Sequence, residues 1–581
     1  MSQSDAKQVR LLSQTSSEFM SWTWEDIEPR YAALEERELS ASNLDNFLEA
    51  WGDLQASVSE IEARLYASTT QDTSNEDVAA RFRDFAETLQ PKVAAAEQRL
   101  RQKVLGSGLT SETYALLLKR MRVDVDLFRE ENLPLQSEES TLSQEYLGVT
   151  GNQTIEWRGD TVSLLQLMRV LHETDRSVRE EAWRAISARR LQDRETIGEL
   201  WRKLLDVREQ QAKNAGFADY RAYRWQLLKR FDYTVEDAKA FSAAIEEVVV
   251  PATSTLLQRR QRMLGVDSLR PWDLSVDPSG RPPLRPFKTT DELVAGISRI
   301  FHQLDPVLGS YIDTMGREGM LDIDGRLHKA PIGYMMPLPA TGLPFIFFES
   351  TCTREDVETL LHEGGHASHV FEASALPKML ADLGAMPMEF AEVGSMAMEF
   401  LGEPYLTRDR GGFYTPEDAA RARLEHIENR VLTLWCRIAQ GDLFQHWVYE
   451  NPEEARDINR ANEVWLDLYR RFTPAIEISG LEKEVESAWQ TIPHFLQSPF
   501  YYIEYGIAQL GAVQIAANAQ RDEPKAVQQY RAALALGGSR PLPELFSTAG
   551  ARFAFDRAAF QQAVEYLQSV VAELDDEVAA R

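Results

Sequence analysis

The stretch TLLHEGGHASHVF, residues 359–371, holds three of the chain's nine histidines, His362, His366 and His369. His362 and His366 are four apart, which on a helix puts both imidazoles on one face one turn apart, the spacing of two ligands to a tetrahedral zinc ion. Glu363 follows His362 directly and sits about a hundred degrees further round the helix, where it reaches a water on the metal rather than the metal itself. The chemistry of His-Glu-x-x-His is hydrolytic. Zinc brings the pKa of its water to about 7, and the carboxylate takes the proton as that water attacks a carbonyl. His369 extends the same face at i+3 and reads as a support for a ligand or a structural residue, rather than as a ligand itself. A metzincin would need glycine at 369 and histidine at 372; His369 and Glu372 exclude that class.

A catalytic zinc needs a third protein ligand and an open fourth position. The next helix candidate, MPMEFAEVGSMAMEFLGEP, starts after Pro387, ends at Gly402-Glu-Pro, and offers Glu389, Glu392 and Glu399. Glu392 and Glu399 share a face, and Gly394 and Ser395 are small enough to admit another helix. Spacing alone leaves the three carboxylates level. The double glycine Gly364-Gly365 costs the first helix about 1 kcal/mol per residue relative to alanine. Close packing on the backbone around Gly394 and Ser395 would explain it.

Elements must hold these groups in place. Residues 43–67 and 75–105 read as two long helices forming an antiparallel pair, the first with Leu44, Phe47, Leu48, Trp51, Leu54, Val58, Ile61 and Leu65 in helical register. Pro91 predicts a kink or break in the second. Residues 131–161 read as a connection with a short extended piece, residues 163–266 as helical, and 267–287, rich in proline and glycine, as a linker or long loop. The one strand signal lies at 321–350, where an Asp-Gly turn precedes the apolar run Phe345–Phe348. Helix dominates from Arg354 onward. The chain is mainly α, with one small sheet just ahead of the histidines.

At 581 residues the chain is too long for one core, so two or more lobes are expected. An apolar share of 44% with 27% charged residues is ordinary for a globular protein. A net charge of −28 disfavours nucleic acid and anionic membranes as partners and suggests neutral or basic peptides as ligands. Cys352 and Cys436 are the two cysteines, too few for a disulfide framework. The N-terminus lacks the apolar segment of a signal peptide, and no uninterrupted apolar run approaches a membrane span. A cytoplasmic protein is expected.

HEGGHASH followed by EVGSMAME resembles the thimet oligopeptidase and oligoendopeptidase F family of zinc peptidases (family M3), with His-Glu-Gly-Gly-His matching its Pz-peptidase-like branch. Segments such as FQHWVYENP, IPHFLQSPFYYIEYGIAQLGA and LALGGSRPLPELFSTAGARFAFD extend the likeness over about residues 110–575. The resemblance implies that His362, His366 and Glu392 hold one zinc ion per chain, that Glu363 is the general base, and that Glu399 orients a histidine ligand. It also implies that His494, Tyr502 and Tyr505 contact the substrate and its oxyanion. Spacing does not choose between Tyr501 and Tyr502, and without the family such an aromatic stripe reads as core packing. The strand Phe345, Ile346, Phe347 is expected to pair with an extended peptide, with Gly333, Tyr334 and Gly342 closing over it, or else to be simply buried.

The implied architecture is a two-lobed, mainly helical zincin-type peptidase around a deep channel. Residues 1–110 would form an N-terminal long-helix hairpin, 111–195 a lobe and connection, 196–575 the catalytic domain, and 576–581 a tail. The implied activity is hydrolysis of internal bonds in short peptides, by a monomer or a homo-oligomer. A metallo-carboxypeptidase on a related scaffold and a non-catalytic peptide-binding relative are the competing readings. His369 and the Glu392–Glu399 spacing favour the endopeptidase.

Overall fold

The computed structural model describes residues 11–14, 17–382, 384 and 386–579. The first ten residues and the end of the 576–581 tail lie outside that set. Two compact units are built from interleaved segments. One comprises Met1–Val125, Arg285–Thr415 and Gly511–Phe553, the other Asp126–Leu284, Pro416–Leu510 and Ala554–Arg581. Five strands occur among the described residues: β1 (Thr154–Trp157) and β2 (Asp160–Ser163) in the second unit, and β3 (Leu321–Asp322), β4 (Tyr334–Leu338) and β5 (Leu343–Phe347) in the first. Helices make up most of the remainder.

The expected helical pair lies in the first unit, after a shorter helix, Trp24–Glu36. Helix Leu44–Gln71 buries the predicted stripe, from Leu44 and Phe47 to Ile61 and Leu65. Its partner runs antiparallel, because Trp51 Nε1 donates to Glu97 at 2.8 Å while Gln90 Nε2 donates to Glu62 at 2.9 Å. The partner winds as α-helix over Glu76–Asp84, widens to one π-helical stretch over Phe85–Leu89, and resumes over Gln90–Gly106. Pro91 has no N–H to give the preceding turn, and the wider turn absorbs that loss without a sharp break.

In the three-stranded sheet β5 is central, paired parallel to β3 and antiparallel to β4. The chain then turns through Cys352, at φ +59°, into the motif helix Arg354–Ala373. Thr353 and Asp356 form a capping box there, and Asp356 also accepts from Ser350 Oγ and Thr351 N. That one carboxylate ties the end of the sheet to the start of the helix. The carboxylate helix Met388–Gly402 starts after Pro387 as expected, and every residue from Glu389 to Gly402 is buried.

In the second unit the segment read as a connection is a helix, Asn132–Gly151, followed by the β1–β2 hairpin. Apolar periodicity had nothing to find, because polar groups hold this helix against helix Arg194–Asn214. Asn132 Nδ2 donates to Gln211 O at 3.1 Å, and Glu139 accepts from Arg208 at 2.7 Å and Gln211 at 2.9 Å. The proline-rich interval 267–287 is irregular but not a free linker, since Leu269, Trp272, Val276 and Phe287 are buried. Helical turns continue through Val235–Leu264, long and apolar enough by length and composition to cross a membrane. Half of its apolar window is buried within the protein, and Arg259, Arg260 and Arg262 crowd its end.

Candidate active site

The motif helix presents His362 and His366 with ring centroids 5.0 Å apart and planes nearly perpendicular, 85°. Glu392 projects toward both from the carboxylate helix: its Oε2 lies 3.5 Å from His362 Nε2 and 3.7 Å from His366 Nε2. These distances are long for hydrogen bonds. They match the edges of a ligand tetrahedron, since donors about 2.1 Å from a zinc ion stand roughly 3.4 Å apart. Two imidazole nitrogens and one carboxylate oxygen within 4.8 Å of one another are a borderline-soft donor set suited to zinc.

The surroundings fix the donors. His362 Nδ1 is 2.6 Å from Glu399 Oε1, which turns Nε2 toward the common point. Ser395 Oγ donates to Glu392 O at 3.0 Å and to its Oε2 at 3.3 Å, so Glu392 is held at its own backbone. The electrostatics also call for a cation. Burial raises the Glu363 carboxyl to about 7 against the pull of His362, and burial raises Glu392 as well. His362 is disfavoured as a cation by burial, yet Glu399 and the neighbouring carboxylates lift it to about 9. Three carboxylates around two imidazoles form a buried site short of positive charge, which a dication held by His362, His366 and Glu392 would supply.

The sequence model for peptidase family M3 matches residues 169–565. The chain belongs to peptidase family M3. No curated protein sequence matches it. Among solved structures, Pz peptidase A with an inhibitor superposes with a TM-score of 0.86 at 24% identity, over 97% of this chain and 100% of that one. A structure assigned to oligoendopeptidase F gives 0.86 at 25% identity, over 98% and 100%. Another so assigned, from Bacillus anthracis str. Ames, gives 0.80 at 23% identity, over 96% and 97%. This M3 peptidase is therefore a zinc-dependent metalloendopeptidase of the oligopeptidase kind, acting on peptides, with the zincin-like M3 fold.

The double glycine of this M3 peptidase is a packing device. A Cβ at Gly365 would lie 2.6 Å from Gly394 O and 2.6 Å from Ser395 Cα, backbone that cannot yield. One at Gly364 would meet the Phe301 ring at 2.7 Å. The expected approach of the two helices is thus real at Gly365, while Gly364 admits an aromatic ring. Of the two roles expected for His369, the structure fits the structural one. It is fully buried, its ring sits 6.1 Å from Phe390, and neither ring nitrogen has a hydrogen-bond partner. Burial pushes it down to about 3, so it is a neutral packing piece against Gly394 rather than an orienting partner of a ligand.

Phe345, Ile346 and Phe347 cannot receive a peptide. They are fully buried in β5, whose two edges are already taken by β3 and β4. The half-exposed edge strand is β4, which begins at Tyr334. Tyr334 stacks on Phe347 at 5.1 Å and its hydroxyl meets Thr70 Oγ1 at 2.6 Å. Gly342, at φ +71°, closes the β4–β5 turn by donating to Leu338 O at 2.8 Å. The adjacent Thr341 is tied through its N–H and hydroxyl to buried Glu60 of helix Leu44–Gln71, at 2.8 and 3.1 Å. That turn is anchored, not a lid. Gly333 is exposed just ahead of β4.

The aromatic cluster lies in the second unit. His494 is its hub, with ring centroids 5.7 Å from Tyr501, 5.3 Å from Tyr502 and 5.7 Å from Tyr505. All four are partly exposed, while Phe495, Leu496, Phe500, Ile503 and Glu504 between them are buried. The stripe is therefore not core packing: it turns its polar aromatic groups outward.

What holds the stripe was not apparent from sequence. Phe500 sits at φ +65°, a region costly for a bulky side chain. Its N–H donates to Gln445 Oε1 at 2.6 Å, and its carbonyl accepts from Arg230 Nη2 at 2.5 Å. Arg224 donates to Pro499 O at 3.1 Å, and Arg208 to Phe495 O at 3.1 Å and Leu496 O at 2.5 Å. Three arginines thus bind the carbonyls between His494 and Tyr501. For Arg224 and Arg230 the signal available was the recurrence of arginine in YRAYRWQLLKR, which reads equally well as a solvated face; Arg208 lies outside that stretch.

Proposed function

We propose that this M3 peptidase is a cytoplasmic oligoendopeptidase for short peptides, carrying one zinc ion per chain on His362, His366 and Glu392. The observation behind this reading is the trio of donor atoms at tetrahedral spacing with Glu363 on the same helix. When bound, zinc supplies Lewis acidity that polarises the scissile carbonyl and acidifies a water. Glu363 takes the proton from the attacking water and passes it to the leaving amine, a task suited to a carboxyl that burial holds near 7. Glu399 keeps His362 in one tautomer and orientation. β4 offers an edge along which an extended peptide lies. His494, Tyr502 and Tyr505, with Tyr501 stacked on His494, act as hydrogen-bond donors to the peptide and its oxyanion.

The deciding experiment uses Glu363→Gln on a blocked, internally quenched peptide. Zinc content should stay at one per chain while turnover falls by about 10³-fold or more. Undiminished turnover in that variant would remove the mechanism. Cleavage that stops when the peptide's C-terminus is amidated would instead show a carboxypeptidase.

A further inference from the structure

β4 carries Met335, Met336 and Pro337, and its register opposite β5 sets Pro337 against Pro344. An antiparallel ladder alternates between pairs that exchange N–H···O bonds and pairs that do not. Two prolines facing each other have no N–H between them, so Pro337–Pro344 must be a non-bonded pair. Alternation then makes Met336–Phe345 and Leu338–Leu343 the bonded pairs, and Met335–Ile346 another non-bonded one. The main-chain groups of Met335 and Pro337 therefore point away from β5, out along the sheet edge.

Three polar groups would ordinarily stand there: the Met335 N–H, the Met335 carbonyl and the Pro337 carbonyl. The Met335 N–H lies on the side of the Glu363 carboxylate and acts to lower that group's pKa. Pro337 contributes no donor. What this edge offers a ligand is two carbonyl oxygens, two residues apart, and at Pro337 no N–H group. Both residues are half-exposed, and the turn that follows is anchored by Glu60, so the edge is presented rigidly.

We propose that the free edge of β4 is an acceptor-rich docking edge, and that Pro337 makes it one by withholding a donor. This rests on the reading that β4 receives the substrate. The peptide class follows from the chemistry: an extended segment giving two backbone N–H groups from residues i and i+2, both directed at β4. Proline or an N-alkylated residue at either position leaves a carbonyl of the edge unpaired and is rejected. Residue i+1 turns its N–H away and tolerates either change. The ladder alternates in the same way for parallel or antiparallel docking, so the two-position pattern holds in both.

The test is an N-methyl scan of one blocked, cleavable peptide, moving the methyl group one residue at a time. KM should rise roughly fivefold or more at two positions separated by one tolerant residue. Pro337→Ala places a donor on the edge and should tighten the parent peptide about two- to fivefold. A flat profile, two adjacent sensitive positions, or weaker binding by Pro337→Ala would overturn the inference. The same series titrated calorimetrically into zinc-loaded Glu363→Gln reads binding without turnover. A two-position pattern there with an inactive wild type would defeat the hydrolytic reading and leave the edge standing. Cleavage by wild type with a flat pattern would defeat the edge alone.

Discussion

His362 Nδ1 lies 2.6 Å from Glu399 Oε1, while the same ring's Nε2 faces Glu392 Oε2 at 3.5 Å. One imidazole is thereby fixed between a carboxylate that orients it and one that shares its proposed metal. Removing the orienting group should loosen the metal without removing a ligand. Glu399→Ala is expected to weaken zinc binding about 10- to 100-fold, measured by competition with a chromogenic chelator. A large loss of metal-free stability with zinc affinity intact would contradict this assignment.

The two glycines of the motif helix should respond differently to the same change. Alanine at Gly365 drives a methyl group into Gly394 O and Ser395 Cα, each 2.6 Å away. Overpacking against backbone costs about 1–3 kcal/mol and would push the carboxylate helix, with Glu392, away from the histidines. Alanine at Gly364 meets only the end of the Phe301 ring, a side chain rather than backbone, and gains about 1 kcal/mol of helix propensity. Gly365→Ala should therefore lower both the denaturation midpoint and zinc affinity, and Gly364→Ala should have the smaller effect on each. Equal responses would remove the helix approach as the reason for Gly365.

The site was legible where covalent spacing fixes geometry. Four residues of helix bring His362 and His366 together whatever surrounds them. The choice among Glu389, Glu392 and Glu399 was not legible from spacing, because it depends on the distance between two helices, which Gly365, Gly394 and Ser395 set in three dimensions. The main sheet was found by its proline, glycine and aromatic content, but its order was not. Sequence leaves Phe345–Phe347 open between an edge and a buried strand, and β3, only two residues long, decides for the buried strand by taking the other side. Helix Asn132–Gly151 was missed because Glu139, Arg208 and Gln211 replace an apolar stripe. The arginines behind the tyrosines share that reason: a side chain bound to a distant carbonyl leaves no periodic trace.

Those arginines yield a stability prediction. Arg230 and Glu504 form a buried ion pair at 2.8 Å, and the same guanidinium caps Phe500 O. Arg230→Met takes a buried counter-charge from Glu504 and should cost about 3–5 kcal/mol in denaturant unfolding. Adding Glu504→Leu removes the charge that lost it and should recover part of that loss, though not the carbonyl bond that restrains Phe500. If the double variant is as unstable as the sum of the singles, the pair is not coupled.

Asp273 sets an acid limit on the second unit. Its carboxylate is buried and accepts from Arg176 at 2.8 Å, Arg179 at 3.0 Å and the Arg270 N–H at 3.0 Å. Burial alone would raise its pKa, yet these donors together hold it below the ordinary value of 3.8. A carboxyl with a depressed folded pKa binds fewer protons folded than unfolded between the two values. Its stabilisation is then complete above the unfolded pKa of about 3.9 and fades as pH falls through the folded value. Asp273→Asn cannot ionise and leaves Arg179 buried without its counter-charge. The wild type should therefore exceed the variant in urea midpoint by a wide margin at pH 6, and the gap should close as pH drops below about 4. A gap that stays constant across that range would mean that Asp273 contributes through hydrogen-bond geometry alone and not through its charge.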